Sequence, residues 1–232
     1  GIIDVLNKRA YEMQKLKRVE IQLPEDKEAV VDEFHDALKE AVAETDEALM
    51  DRFFEGDDFT YREMITGLHQ GVTELSLFPV LCGSSISCLG SLMLMDHIIE
   101  LLPNPVEGNY HKATTADGKV EEFVVSPGGV PAAFVWKTVS DQFGKYSFVK
   151  VLSGEITSDT TLVNSRTGET EKLGRLYTMC GKKNTEVKVL SCGDIGAIGK
   201  MDKVKTGDTL CDPRKVVSLK QIPYPAPCYS MA

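Results

Sequence analysis

Apolar residues have helical spacing in the first part of the chain and alternate with polar residues in the second part. Val30, Phe34, Leu38 and Ala41 mark one face of a predicted helix. Thr60-x-x-Glu63 is typical of a capping box, and it predicts a further helix over 61–70, ended by Gly71. Before these helices, residues 1–13 and 19–23 have strand-like patterns. The first part therefore predicts strands followed by helices.

A different pattern occupies residues 77–105. The short apolar run Leu77–Leu81 is typical of a strand buried on both faces. Small residues follow it, and then a helical pattern that is closed by Pro103. Strand, small-residue loop and helix form the unit of a doubly wound α/β sheet, which binds ligands at the carboxyl ends of its strands.

From Val130 onward the apolar period is two. The predicted strands are 132–137, 146–151, 160–164, 170–179, 187–190, 195–198 and 209–211. Many short strands with Gly-rich turns favour a small closed barrel, which has no free edge. Glycines and prolines mark residues 106–129 as a linker, within which Asp117-Gly118 favours a hairpin turn.

Composition narrows the class of protein. The formal net charge is −9; residues 1–70 carry 18 acidic against 9 basic residues, whereas residues 130–211 carry 12 basic against 9 acidic. This balance disfavours a generic DNA-binding protein but permits local RNA contacts in the second half.

The six cysteines form no CxxC pair, so we expect reduced thiols, no zinc and a cytoplasmic protein. No run is long enough to span a membrane, and the start at Gly1 without a Met suggests a piece of a longer protein.

Several motifs together resemble elongation factor G. The first is Pro79-Val80-Leu81-Cys82-Gly83-Ser84, followed by Leu101–Pro105, which resembles the end of the family's GTPase domain. Residues 41–56 resemble its acidic insert subdomain. In the second half, four blocks resemble its second domain: Val151-Leu152-Ser153-Gly154, Gly174-Arg175-Leu176, Gly193-Asp194-Ile195 and Thr206-Gly207-Asp208-Thr209-Leu210. The turn Asp141-Gln142-Phe143-Gly144 is shorter than the family's, which suggests a divergent paralogue.

The resemblance implies an α/β fold, a partial GTPase domain with an α+β insert, followed by an all-β barrel of the translation-factor domain II type. The implied parts are the insert (1–76), the last strand and helix of the GTPase domain (77–105), the linker (106–129), the barrel (130–214) and the start of a connection to a third domain (215–232, with Ile222-Pro223-Tyr224-Pro225). In the intact protein, Gly83, Ser84 and Ser85 would contact guanine through the loop backbone.

The chain itself lacks most of the motifs that a GTPase requires. It has no G-x-x-x-x-G-K-[ST] phosphate loop, and Asn7-Lys8-Arg9-Ala10 fails as a guanine-reading NKxD motif because Ala10 cannot accept a hydrogen bond. We expect GTP or GDP with Mg²⁺ only in the intact protein, and no GTP hydrolysis by this chain. No catalytic or metal-binding residue is predicted; Cys82 is interpreted as a buried structural thiol.

The implied partner is the ribosome, in translocation or recycling. The barrel would contact small-subunit RNA, with Lys145, Lys150, Arg175, Lys182 and Lys183 as candidate contacts. The acidic insert would face the stalk proteins of the large subunit. Two alternatives are a tetracycline-resistance ribosomal protection protein and a non-enzymatic module that binds protein or RNA. Because the predicted sheet lacks its other strands, the chain is also expected to self-associate.

Overall fold

The computed structural model describes residues 1–107, 110–141, 144–221, 223, 225–226 and 228–229, apart from the side chains of Tyr110 and Asp141. Parts of the shortened turn (Gln142 and Phe143) and of the terminal motif (Ile222 and Tyr224) lie outside these residues. The chain divides into two units, Gly1–Pro103 and Asn104–Ala232.

The first unit begins with a three-stranded antiparallel sheet and continues with helices. The strands are β1 (Ile2–Asp4), β2 (Arg9–Gln14) and β3 (Lys17–Ile21), paired in chain order. A short 3-10 helix, Glu25–Lys27, leads into the four α-helices, which are α1 (Glu28–Ala43), α2 (Glu47–Glu55), α3 (Tyr61–Thr73) and α4 (Ser91–Leu101). The capping box predicted from sequence is confirmed, since Thr60 and Glu63 form it on α3, and the Asp46 side chain caps α2 by accepting from the amides of Ala48 and Leu49.

Two details of the predicted helices are wrong. The buried face of α1 includes Val31 and Val42, whereas Phe34, predicted to face inward, is 57% exposed. Gly67 of α3 explains the shift, because an added Cβ there would lie 2.7 Å from a Val42 methyl group, so this glycine permits close packing of the two helices. Helix α3 also continues past Gly71 to Thr73, and Gly71 leaves space there for the side chain of Leu77.

The predicted strand at Leu77–Leu81 does not form. These residues have no regular secondary structure, and Phe78 and Val80 are 76% and 90% exposed. A buried strand needs neighbouring strands for its backbone hydrogen bonds, and no strand of the described residues pairs with this segment. The core of the unit instead forms around Val42, Met64, Leu68 and Leu101.

The second unit is built from antiparallel strands, as the alternating pattern predicts. An eight-stranded sheet has the order β10-β9-β15-β6-β7-β14-β11-β12, and β8 pairs with β13 separately. Its strands are β6 (Ala132–Asp141), β7 (Gly144–Ser153), β8 (Glu155–Thr157), β9 (Thr161–Asn164), β10 (Thr170–Lys172), β11 (Leu176–Cys180), β12 (Lys183–Val187), β13 (Val189–Ser191), β14 (Ile195–Gly199) and β15 (Thr209–Cys211). The ladder ends at β10 and β12, so the expectation of a barrel without edges is only partly met.

Residues 106–129 are more than a linker. They contain the hairpin of β4 (Tyr110–Thr115) and β5 (Val120–Val124), with the predicted Asp117-Gly118 in its turn. Strand β16 (Val217–Leu219), in the segment predicted to start a connection, pairs with β4 to complete a three-stranded sheet. Both segments are therefore parts of the second unit.

Two buried clusters stabilise this unit. The first fills the inside of the curved sheet with residues such as Val135, Val149, Leu176 and Ile198. The second lies between the sheet's outer face and the three-stranded sheet, and it includes Ala113, Phe123, Leu152, Cys211 and Val217. Burial of these apolar side chains is the main source of stability.

Candidate functional site

The loop predicted to contact guanine is closed on itself by hydrogen bonds. The Ser84 amide donates to the Leu89 carbonyl at 2.9 Å, and these two residues form an isolated antiparallel bridge. The Ser84 hydroxyl accepts a hydrogen bond from the Ser87 amide at 3.4 Å. Gly83 and Ser85 are exposed. The amide of Ser84 is thus engaged within the loop, and the role of all three residues toward guanine stays a prediction.

Two glycines are required by the geometry of this loop. A Cβ added to Gly83 would lie 2.9 Å from the Leu89 carbonyl oxygen, which is closer than such atoms normally approach. Gly90 has a φ of 78°, in the left-handed region that glycine adopts without strain, and it directly precedes α4. The small residues therefore have a structural explanation that does not depend on a ligand.

Beside the loop lies an apolar groove with a volume of about 430 Å³. Its lining comes from β1, α1, α3, α4 and the segment 77–82, and includes Leu38, Phe78, Val80 and Leu101. Cys82 also lines it and is exposed, so the interpretation of this residue as a buried thiol is wrong. The exposed segment 77–82 therefore forms part of the lining of this groove.

The cationic residues predicted to contact RNA have different surroundings in the barrel. Lys145 is half-buried, and its Nζ donates to the carbonyls of Asp202 and Val204 at 2.9 and 2.7 Å. Its ammonium group therefore fixes the backbone at 202–204. Lys150 lies on β7 and lines a pocket on the outside of the barrel, together with Phe134.

The remaining candidates lie near the β11–β12 hairpin. Arg175 is 73% exposed in its side chain, and its Nη1 lies 3.5 Å from a carboxylate oxygen of Glu186. Lys182 and Lys183 are exposed at the hairpin tip, where Gly181, with a φ of 60°, opens the two-residue turn. No ion pair or hydrogen bond of these two ammonium groups occurs within the described residues. They are the candidates best placed for an external anion.

Sequence reasoning missed a buried carboxylate in the barrel. Asp208 is only 2% exposed, and it accepts from Arg166 through Nε at 2.6 Å and through Nη2 at 3.0 Å. It also accepts from the Asn164 side chain at 2.7 Å and from the Lys205 amide at 2.9 Å. Burial raises the pKa of Asp208, but these donors outweigh burial and lower the pKa overall. The Asp208 carboxylate therefore connects the 205–208 turn to the end of β9.

The acidic surface predicted for the insert is present on α1. Glu33, Asp36 and Glu40 are exposed, and Phe34 lies exposed on the same helix. On the next helix, Phe54 is 78% exposed. A surface that combines large exposed aromatic side chains with carboxylates can be recognised by protein partners.

Two further observations concern metals and membranes. Within the described residues, no group of three or more His, Cys, Asp and Glu side chains converges as a possible metal site. In that same part of the chain, no helix is both long enough and apolar enough to cross a membrane.

Residues 131–213 match the family model described as elongation factor G domain 2. This range coincides with strands β6 to β15, which form the curved sheet and its inner core. The chain is elongation factor G-like, with a domain II barrel. The resemblance seen in the sequence blocks around Gly154, Arg175, Asp194 and Asp208 is thereby confirmed, and the chain is placed among translation-factor relatives.

A solved structure also resembles the chain as a whole. It is the crystal structure of a protein from Thermus thermophilus, matched with a TM-score of 0.75 at 26% sequence identity. The match covers 91% of this chain and 29% of that protein. The chain therefore spans less than a third of the length of this structural relative.

Proposed function

We propose that the chain acts as part of a ribosome-associated translational GTPase that resembles elongation factor G. The intact protein would use GTP in translocation or in ribosome recycling. The observation that carries this proposal is the match of residues 131–213 to elongation factor G domain 2. The share of the Thermus protein that the chain covers, 29%, is consistent with a part of a larger factor.

In this proposal the barrel contacts RNA of the small ribosomal subunit. The exposed and unneutralised Lys182 and Lys183 at the tip of β11–β12 support such a contact, because phosphates are bound mainly by lysine and arginine side chains. Lys145 is the weakest of the five candidates, since its ammonium group already binds two carbonyls. The acidic face of α1, with Phe34, would meet the stalk proteins of the large subunit.

The residues of this chain do not by themselves fit GTP with Mg²⁺. The sequence has no phosphate loop, and the Ser84 amide is engaged with Leu89. We therefore assign the nucleotide to the longer protein, with Gly83 to Ser85 supplying at most part of the guanine contact. Isothermal titration of the chain with GTP and Mg²⁺ checks this: we expect no binding below millimolar concentration, and tight binding that depends on Ser84 and Ser85 would contradict it.

The contact with the ribosome is tested by charge reversal. We expect the double variant K182E/K183E to bind purified small ribosomal subunits at least tenfold more weakly than the unchanged chain, measured by cosedimentation at fixed salt. The matched control is K15E/K17E, which changes the net charge equally at an exposed turn of the first unit. Equal loss in both variants would show a non-specific charge effect and would remove Lys182 and Lys183 from the interface.

A further inference from the structure

A pocket of about 390 Å³ lies in the second unit, where the three-stranded sheet packs on the outside of the barrel. Three separate parts of the chain form it. The lining residues are His111 and Lys112 of β4, Phe134 of β6, Lys150 and Leu152 of β7, Leu219 of β16 and the adjoining Lys220. The volume is in the range of small-ligand sites.

The floor of the pocket is apolar and fixed. Leu152 and Leu219 are 2% and 7% exposed and belong to the core cluster between the two sheets. Phe134 is partly buried and packs against the same cluster. A floor anchored in a core keeps its shape, so the aromatic ring of Phe134 is held in place at the pocket.

The rim of the pocket is cationic. Lys112, Lys150 and Lys220 line it together, and no Asp or Glu does. Within the described residues, their ammonium groups form no ion pair and no hydrogen bond, although Glu122 is the cross-strand neighbour of Lys112. Lysines elsewhere, such as Lys39, have carboxylate partners within 3 Å. In a chain of net charge −9, three unneutralised positive charges around one pocket favour an anion.

His111 adds a neutral polar group to this rim. Burial, and then the positive charge of Lys150, lower the pKa of His111. At neutral pH its imidazole is therefore uncharged, and it can donate one hydrogen bond and accept another. The lysines supply the charge, and the histidine supplies directional contacts.

We propose that this pocket binds one nucleotide of single-stranded RNA, with the phosphate among the three lysines and the base against Phe134. The inference rests on the proposed function and names the chemical group that the barrel recognises. Stacking of a base on an aromatic ring beside lysines is the usual way in which proteins hold unpaired nucleotides. Inorganic phosphate alone would leave the floor formed by Leu152, Leu219 and Phe134 uncovered, whereas a base covers it.

The test measures binding to the full chain by fluorescence anisotropy of a labelled uridine hexanucleotide, with adenosine monophosphate and inorganic phosphate as competitors. We expect K150Q and K220Q each to weaken RNA binding about fivefold or more, in line with one lost phosphate contact. The control K188Q, at an exposed lysine outside the pocket, should change binding less than twofold. The variant F134L should weaken the binding of adenosine monophosphate more than the binding of inorganic phosphate.

Several outcomes would overturn the proposal. Unchanged RNA binding in both K150Q and K220Q would exclude the pocket, and these exposed or half-exposed lysines can be replaced without disturbing the fold. Equal competition by inorganic phosphate and adenosine monophosphate would exclude the base contact. Tighter binding of a phosphotyrosine peptide than of RNA would assign the pocket to a different partner. If K150Q and K220Q both have no effect while K182E/K183E still loses ribosome binding, only the pocket fails and the proposed function stands.

Discussion

The two units differ in how completely they bury their own apolar residues. In the second unit every described barrel strand has a hydrogen-bonded neighbour, and two buried clusters fill the inside of the curved sheet and the space between it and the three-stranded sheet. In the first unit Phe78, Val80 and Ile99 are exposed, and a groove of about 430 Å³ opens onto the core. A unit whose strands pair among themselves can close its core. The segment 77–101 has strand and helix patterns, but no strand among the described residues pairs with it.

This difference predicts that the largest loss of stability follows from shortening a side chain in the barrel core. Ile198 is fully buried on β14, so I198A should lower the free energy of unfolding by about 2–5 kcal/mol. Trp136, the only tryptophan, lies in the second unit and reports its unfolding by fluorescence. Helical circular dichroism reports mainly on the first unit.

The control for this prediction is the exposed isoleucine of the first unit. Ile99 is 80% exposed on α4, so I99A should change stability by less than about 0.5 kcal/mol. The two units are expected to unfold separately, with I198A moving only the fluorescence transition. A common shift of both transitions would show that the units are energetically coupled, and would break the comparison.

The next effect concerns the buried carboxylate of the second unit. R166M removes two hydrogen bonds to Asp208 and leaves its buried charge with fewer donors. Because Arg166 is itself partly exposed, the free energy of unfolding should fall by about 1–3 kcal/mol. R214M is the matched control, since Arg214 also binds a carboxylate, that of Asp212, but is 76% exposed. In R214M the free energy of unfolding should fall by less than about 1 kcal/mol.

Acid titration provides an independent readout for the same pair. The pKa of Asp208 is lowered in the folded state, so its ionised form stabilises the fold above the unfolded pKa of about 3.9. This stabilisation is lost as the pH falls through the folded pKa. In R166M the pKa is lowered less, so the barrel should lose less stability between pH 6 and pH 3 than the unchanged protein. An identical acid dependence would mean that Arg166 does not set this pKa.

The same contrast shows which features can be predicted from sequence. The barrel strands follow from alternation because one face of each strand is buried, and the caps at Asp46 and Thr60 depend on neighbouring residues only. The elongation factor G blocks around Arg175 and Asp208 predicted the barrel's family. The strand predicted at Leu77–Leu81 was wrong because no strand among the described residues pairs with this segment. A local pattern does not show whether a segment has neighbouring strands to pair with.

Features that join distant parts of the chain were not predicted. Arg166 and Asp208 are 42 positions apart and meet only because β9 pairs with β15. Lys150 was selected as an RNA contact, but its neighbour Lys220 was not. That pocket exists because β16 returns to pair with β4, about a hundred residues earlier. Such contacts depend on strand order and register, which single-sequence patterns do not determine.

Self-association is the next prediction, and it tests the exposed groove. Val80 is 90% exposed and lines the groove, so the unchanged chain should associate through this surface at micromolar to millimolar concentration. V80K should weaken association about tenfold or more in sedimentation velocity, because a charge would have to be buried. I86K is the control, since Ile86 is 98% exposed but does not line the groove. A strictly monomeric unchanged chain would contradict the prediction.

The smallest effect is expected at a helix end in the first unit. The Thr60 hydroxyl accepts from the Glu63 amide, and the Glu63 carboxylate accepts from the Thr60 amide at 2.7 Å. The hydrogen bond from the Thr60 amide to the carboxylate, followed by those from the Arg52 and Thr60 side chains, lowers the pKa of Glu63 to about 2, so the capping box persists to acidic pH. T60A should destabilise α3 by about 1 kcal/mol, measured by helical circular dichroism during denaturation.

A second threonine, Thr66, shows whether the effect of T60A comes from the lost cap or only from the exchange of threonine for alanine. Thr66 is exposed in the middle of α3 and donates only to the Arg62 carbonyl, so T66A should be neutral or slightly stabilising. Because the first unit has a small core and an open groove, the loss of one cap is a larger share of its stability than it would be in the barrel. T60A should therefore shift the circular dichroism transition clearly while the Trp136 fluorescence transition stays in place. Equal shifts would mean that the barrel depends on the helices, despite its own complete core.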